Sequence, residues 1–206
     1  MRNGDNLEDF KYIYFLQTYT GSVLSRVVKK FSTAKYSHVS MGFDDTLQKF
    51  YSFGRKHPYN PFWAGFVEED LVNGVYRRFA NTRFALYRLK VSCEDYDSLR
   101  ETVDLFEKQK KLYRFNLLGM ATAKVGYSLD RKKSFFCSQF VATVLEESNL
   151  GLLEKKAGLV HPMDFSEIHG VELMYEGILN ELVPLPINDE STELNSTSIF
   201  KPFVKI

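Results

Sequence analysis

Ser134-Phe135-Phe136-Cys137-Ser138-Gln139-Phe140-Val141 is the stretch on which the reading of this chain turns. It sets a cysteine at the start of a helix, behind two aromatic residues. A thiol in such a position lies near the positive end of the helix dipole, which favours its ionised form. The same geometry turns backbone N–H groups toward the sulfur, where an oxyanion can be held. A reactive cysteine also needs a base. The candidate lies far upstream, in Tyr36-Ser37-His38-Val39-Ser40-Met41-Gly42-Phe43, which reads as a strand carrying one histidine. Cysteine and histidine on separate elements are what thiol-dependent acyl chemistry requires.

Around these two segments the pattern is that of one α+β domain spanning residues 1–206. The aromatic and β-branched run from Phe10 to Leu16 predicts a first strand. Ser22 is a plausible N-cap for a short helix reaching Phe31. Ser37–Phe43 and Gln48–Phe53 flank the polar turn Asp44-Asp45-Thr46 and predict a hairpin. The stretch from Phe66 to Tyr76 reads equally as a turn-linked strand or as irregular structure. Alternation predicts a strand over Thr82–Val91. Ser92 and Asp95 then open a helix to about Lys111, with Tyr96, Leu99, Val103 and Phe106 inward. A short apolar helix is expected over Leu117–Ala123, the cysteine helix over Ser138–Glu147, a turn opening a short helix over Leu159–Phe165, and a strand over Val171–Tyr175. The tail from about residue 188 is polar and expected to be extended.

Composition bounds the function. In 206 residues, 44% hydrophobic and 15% aromatic content argue for a folded core. The net charge of +1, with scattered basic residues, gives no electrostatic case for nucleic acid. The clusters Arg131-Lys132-Lys133 and Lys108–Lys111 read as solvated faces. The N-terminus lacks the apolar core of a signal peptide, and no apolar run approaches the roughly 20 residues needed to span a bilayer. The expectation is a cytoplasmic protein with no transmembrane segment. No Cys-x-x-Cys, His-Glu-x-x-His, dense acidic loop or phosphate-binding glycine signature is present, so neither metal nor cofactor is expected. No Gly-x-Ser-x-Gly elbow suggests a serine hydrolase.

Four histidines are available: His38, His57, His161 and His169. His38 is singled out by its core strand and its small polar neighbours Ser37 and Ser40, because a buried imidazole is costly to leave unpartnered. His161 and His169 lie near Asp164, where a supporting role is open to them, but nothing singles them out. Cys93 serves as a control. It also lies at a helix start, but Glu94 and Asp95 beside it disfavour an ionised thiol.

In the ordered set Tyr36-Ser37-His38-Val39, then Phe136-Cys137-Ser138-Gln139-Phe140-Val141, the chain resembles a permuted NlpC/P60 cysteine hydrolase of the papain-like superfamily. More narrowly, it is similar to the bacterial YiiX/YaeF-like group, and distantly to the lecithin:retinol acyltransferase family. Tyr51-Ser52-Phe53-Gly54-Arg55-Lys56, Tyr113-Arg114-Phe115-Asn116 and Val160-His161-Pro162-Met163-Asp164 add to the likeness, which runs from about Tyr12 to Tyr175. It implies a circularly permuted papain-like fold, an antiparallel sheet packed against helices that include the nucleophile helix. It implies Cys137 as nucleophile and His38 as base.

A third polar residue usually orients the histidine. Pairing the hairpin about Asp45 sets Ser52 opposite His38, and a register one residue shorter sets Tyr51 there; Ser52 is favoured. The YiiX-like group has a carboxylate at that place, and a serine stabilises imidazolium much less. The Gln17-Thr18 region is a candidate source of an oxyanion donor. Arg55, with Tyr51, is the expected substrate-binding site, and Arg55 and Lys56 suit a substrate carboxylate.

The expected activity is thiol-dependent hydrolysis of an amide or peptide bond in a small or cell-wall-type substrate. The alternatives are an acyltransferase or lipid-directed thiol hydrolase, with Phe62, Trp63 and Phe66 against an acyl chain, or a non-catalytic binding module on the same fold. Oligomeric state is not legible in the sequence.

Overall fold

Ile13, Phe15 and Gln17 alternate with Tyr14, Leu16 and Thr18 along β1 (Phe10–Tyr19), and both sets are buried. A strand covered on both faces reads as a continuous apolar run, which is how the sequence presents it. The computed structural model describes residues 10–21, 34–44, 46, 48–57, 60–71, 76, 79 and 81–181, with the backbone alone at 57, 60–63 and 180. The expected helix from Ser22 to Phe31, the tail beyond residue 181 and the side chains of His57, Phe62 and Trp63 lie outside the described residues.

β1 sits inside a six-stranded sheet. Its partners are β2 (His38–Gly42), β3 (Phe50–His57), β4 (Asn60–Glu69), β5 (Arg83–Ser92) and β8 (Val171–Ile178), in the order β4-β3-β2-β1-β5-β8. Every pairing is antiparallel. A second, two-stranded pairing joins β6 (Arg114–Phe115) to β7 (Ser134–Phe135) in parallel. Three α-helices are found among the described residues: α1 (Cys93–Lys108), α2 (Leu117–Ala123) and α3 (Cys137–Glu147). The α+β class and the antiparallel sheet expected from the sequence are therefore present. No helix among the described residues is long and apolar enough to cross a membrane.

α1 starts where Ser92 accepts a hydrogen bond from the Asp95 N–H at 3.0 Å, the cap expected from its sequence. Leu99, Val103 and Phe106 recur on one face and are buried. Together with Phe140, Val141 and Val144 of α3, they cover one side of the sheet through Ile13, Phe15, Val39, Met41, Phe53 and Phe66. The other side carries a smaller cluster of Leu16, Phe50, Leu71, Tyr76, Phe84 and Leu86.

The β2–β3 hairpin departs from its expected register. Met41 pairs with Tyr51 and Gly42 with Phe50, so the pairing centres on residue 46 rather than Asp45. The reason lies in the turn. The Asp44 carboxylate accepts from the Thr46 N–H at 3.0 Å, and the Thr46 hydroxyl accepts from the Gln48 N–H at 3.3 Å. These two side-chain turns lengthen the connection. Continuing the register outward brings Ser52 to Ser40 and Gly54 to His38, a slip of two residues that leaves each side chain on its original face.

Phe53 is fully buried and meets the rings of Phe66, Phe106, Tyr113, Phe135 and Phe140 at centroid distances of 5.3–6.5 Å. It joins the sheet to both long helices. Phe53→Ala is expected to cost about 3–5 kcal/mol of stability in urea unfolding, the usual range for a buried phenylalanine. A loss below about 1 kcal/mol would show that this cluster does not hold the helices to the sheet.

Candidate active site

α3 begins at Cys137 behind Phe136, whose extended backbone supplies no side-chain cap. The polar side chains of the first turn are tied sideways instead. The Ser138 hydroxyl donates to the Val160 carbonyl at 2.6 Å. Gln139 accepts from the Asn116 amide at 3.3 Å and donates to Asp130 at 3.2 Å. These bonds fix the helix start laterally without covering its N–H groups with a cap or an acidic residue. Cys137 is buried beside this end, and neither cysteine is in a disulfide.

His38 is the first residue of β2, at the strand end, where it pairs with Thr18 of β1. Its Nε2 lies 2.8 Å from Oε1 of Glu69, the last residue of β4. The Ser40 hydroxyl is 3.4 Å from the same nitrogen and donates to the other carboxylate oxygen of Glu69. The Tyr76 hydroxyl donates to that oxygen too, at 3.2 Å, and lies 3.3 Å from the Thr18 hydroxyl. Both side chains of the ion pair are largely shielded, at 20% and 12% exposure. Gly54 faces the pair. A Cβ built there would stand 3.4 Å from Glu69 Oε1 and 3.5 Å from His38 Cε1, so a larger side chain would crowd the imidazole.

The charges follow from this geometry. Burial alone pulls the His38 imidazole down, but the Glu69 carboxylate opposes it. Cys137 then adds to that effect, both by charge and as a hydrogen-bond partner. The balance holds His38 well above its ordinary range. Burial pushes the Glu69 carboxyl up, yet the charge and hydrogen bond of His38, with those from Ser40 and Tyr76, bring it below the usual carboxylate value. Burial, and next the charge of Glu69, drive the Tyr76 phenol well above its normal range and keep it a neutral donor.

The structure brings Cys137 and His38 together, as the sequence suggests, and corrects the third position. Ser52 is buried with its hydroxyl donating to the Val39 carbonyl at 2.7 Å; the group that meets His38 is Glu69. The register slip of two explains the miss. Tyr51 is a core residue, edge-on to Phe43 and tilted against Phe66, rather than part of a substrate surface. Arg55 is half-buried with its guanidinium 5.5 Å over the Phe79 ring, a setting that does not by itself mark a carboxylate site. Gln17 is fully buried and its amide nitrogen donates to the Pro162 carbonyl at 2.8 Å, so it is committed to the fold rather than to an oxyanion. Thr18 meets Tyr76 instead.

His161 caps the 3-10 turn Pro162–Ser166, accepting from the Met163 N–H while Asp164 accepts from the His161 N–H. Burial holds its imidazole below the ordinary range. Among the described residues, no three His, Cys, Asp or Glu side chains gather as a metal site would need.

Sequence reading missed Glu69 and Tyr76. Both lie in the stretch left open between strand and irregular structure. The usable signal was the alternation of Val67 and Glu69 against Phe66 and Glu68 at the end of a strand, just where three acidic residues follow one another.

Comparison with family models, with curated proteins and with solved structures finds no match to this chain.

The Glu69–His38 coupling has a measurable sign. His38 lies above its unfolded value of about 6.5, so its stabilising contribution is complete below that pH and lost as pH rises through the raised value. Glu69 lies below its unfolded value of 4.5, so its contribution is present above that pH and lost as pH falls through the lowered value. In a Cys137→Ala background, His38 followed by NMR should still titrate above about 6.5. Adding Glu69→Gln should drop it below about 6.5, because burial then acts without the carboxylate. An unchanged titration would show that Glu69 does not control His38.

Proposed function

We propose that this chain is a cysteine-dependent acyl hydrolase of the permuted NlpC/P60, papain-like type, acting on an amide or peptide bond of a small substrate. The observation that carries the reading is one imidazole, His38, bonded to a largely shielded carboxylate and within reach of the thiol at a helix start. In this reading Cys137 is the nucleophile, His38 the proton carrier and Glu69 the residue that orients and charges it. A carboxylate here supports imidazolium far better than the serine expected from sequence. A carboxylate at this place also supports the likeness to the YiiX-like group better than a serine does.

With Nε2 committed to Glu69, Nδ1 exchanges the proton with Cys137. Nδ1 takes the thiol proton as the sulfur attacks. The sulfur forms a bond to the acyl carbon, and the carbonyl electron pair moves to oxygen. N–H groups at the uncapped start of α3 receive that charge. The C–N bond then breaks as Nδ1–H protonates the departing amine. Water, giving a proton back to His38, attacks the thioester and releases the acid, and the sulfur leaves. An amine in place of water turns the same sequence into acyl transfer.

The test is alkylation of the folded protein by iodoacetamide from about pH 5 to 9, with each cysteine followed by peptide mass spectrometry. Cys137 should react faster than Cys93 at about pH 6, and His38→Ala should slow it by about 10²-fold. Ser52→Ala should leave the rate within about twofold, while Glu69→Gln should slow it by about tenfold or more. A Cys137 that reacts no faster than Cys93 in native protein, and no faster once partly opened by mild urea, would overturn the enzyme reading in favour of a binding module.

With p-nitrophenyl esters as acyl donors, Cys137→Ser should abolish the burst of released phenol. Turnover in the intact protein should divide between water and added amine, and the ratio distinguishes hydrolase from transferase. Turnover that survives Cys137→Ser would place the chemistry elsewhere.

A further inference from the structure

The basic residues are less scattered than the whole-chain charge suggests. Residues 108–133 hold eight of the chain's 27 lysines and arginines and one of its 26 acidic residues, Asp130. This segment therefore carries +7 in a chain whose total is +1. All eight basic residues are exposed, with Lys110 lying 3.7 Å from Glu107. α2 lies within it, and its packing is inverted. Gly119 is buried against Asn116, while Leu117 and Leu118 are 52% and 57% exposed.

The helix ends in a Schellman turn. Gly126 takes a φ of 76°, Tyr127 N–H reaches the Thr122 carbonyl and Gly126 N–H the Ala123 carbonyl. That turn carries Val125 and Tyr127 outward at 81% and 62% exposure. Leu118, Ala121 and Val125 follow helical spacing, so the outward face is apolar, and the same segment carries the exposed Lys110, Lys111, Lys124 and Arg131–Lys133.

We infer that this face docks on an anionic lipid bilayer. The charge is complementary to acidic headgroups, and the apolar side chains are aliphatic and shallow, as insertion at the headgroup boundary requires. Leu117, Leu118 and Val125 gain nothing from a nucleic-acid phosphate backbone. A second copy meeting the same face would set +7 against +7. The segment is also held beside the cysteine. Its flanks pair as β6 and β7, Asn116 bonds to Gln139 of α3, and Lys124 is near enough to His161 to act on its charge. Docking would thus present the thiol end of the sheet to material at the membrane surface. The binding itself does not depend on the chemistry of Cys137.

Co-sedimentation of the full chain with vesicles tests it. Binding is expected to phosphatidylcholine vesicles carrying about 30% phosphatidylglycerol. It should weaken at least tenfold on raising salt from about 0.05 to 0.5 M, and on going to pure phosphatidylcholine. Leu118→Asp with Val125→Asp, and separately Lys110, Lys111, Lys132 and Lys133→Gln, should each reduce binding about tenfold with unchanged circular dichroism. No binding to anionic vesicles at low salt, equal binding to neutral ones, indifference to both variants, or tighter binding to an oligonucleotide would each overturn it.

Discussion

A carboxylate largely shielded from solvent at the end of a strand must find partners or lose its charge, and Glu69 is in that position. Four groups answer it: His38 and Ser40 from β2, Tyr76 from the segment after β4, and Thr18 behind Tyr76. The arrangement is tightly interdependent. Removing one partner of a buried pair typically costs about 3–5 kcal/mol, because the other charge is left stranded. The same ion pair that joins β4 to β2 also raises the imidazole beside Cys137 above its ordinary range. The local stability of this sheet end and its chemistry rest on one interaction.

The parts of the fold legible in the sequence are those written in a period. β5, α1 and α2 lie within a few residues of where alternation or helical spacing puts them. α3 starts at Cys137, as the aromatic-cysteine stretch suggested. The His38 strand was legible because imidazole between small polar residues is out of place in an apolar run. The register of its hairpin was not. It depends on whether Asp44 and Thr46 fold side-chain turns onto the backbone, and nothing in a hydrophobic pattern encodes that. A slip of two residues keeps every face correct while changing every neighbour, so Ser52 was assigned to the right side of the sheet and to the wrong partner. Glu69 was hidden for a different reason. Among Glu68, Glu69 and Asp70, only the pairing partner tells which carboxylate turns inward.

The division of labour between the two faces of β1 and β2 explains how a charged pair sits so close to a packed core. Phe15, Val39 and Met41 point to the helices, while Leu16, Thr18 and Ser40 point to the smaller cluster around Tyr76. Strand alternation alone thus separates the apolar support of the cysteine helix from the polar support of His38. The two meet where β2 begins. At a strand end, an imidazole can be gripped by Glu69 on one nitrogen and still be felt by Cys137. Mid-strand, the sheet itself would stand between them.

The route of the chain gives the basic segment its relation to this site. Between Phe115 and Ser134 it leaves the core, forms α2, and returns to pair alongside its own departure point. Gly158 lets the returning loop approach closely, since a Cβ there would collide with the Ser128 hydroxyl. An excursion closed at its base in this way is anchored at β7, and the residue after β7 and Phe136 is Cys137. The exposed apolar face is therefore joined to the start of the cysteine helix by two backbone pairings and the Asn116–Gln139 bond. A surface element with no structural bearing on the site could have been attached at any of the sheet's other loops; this one is spliced into the stem of the cysteine helix.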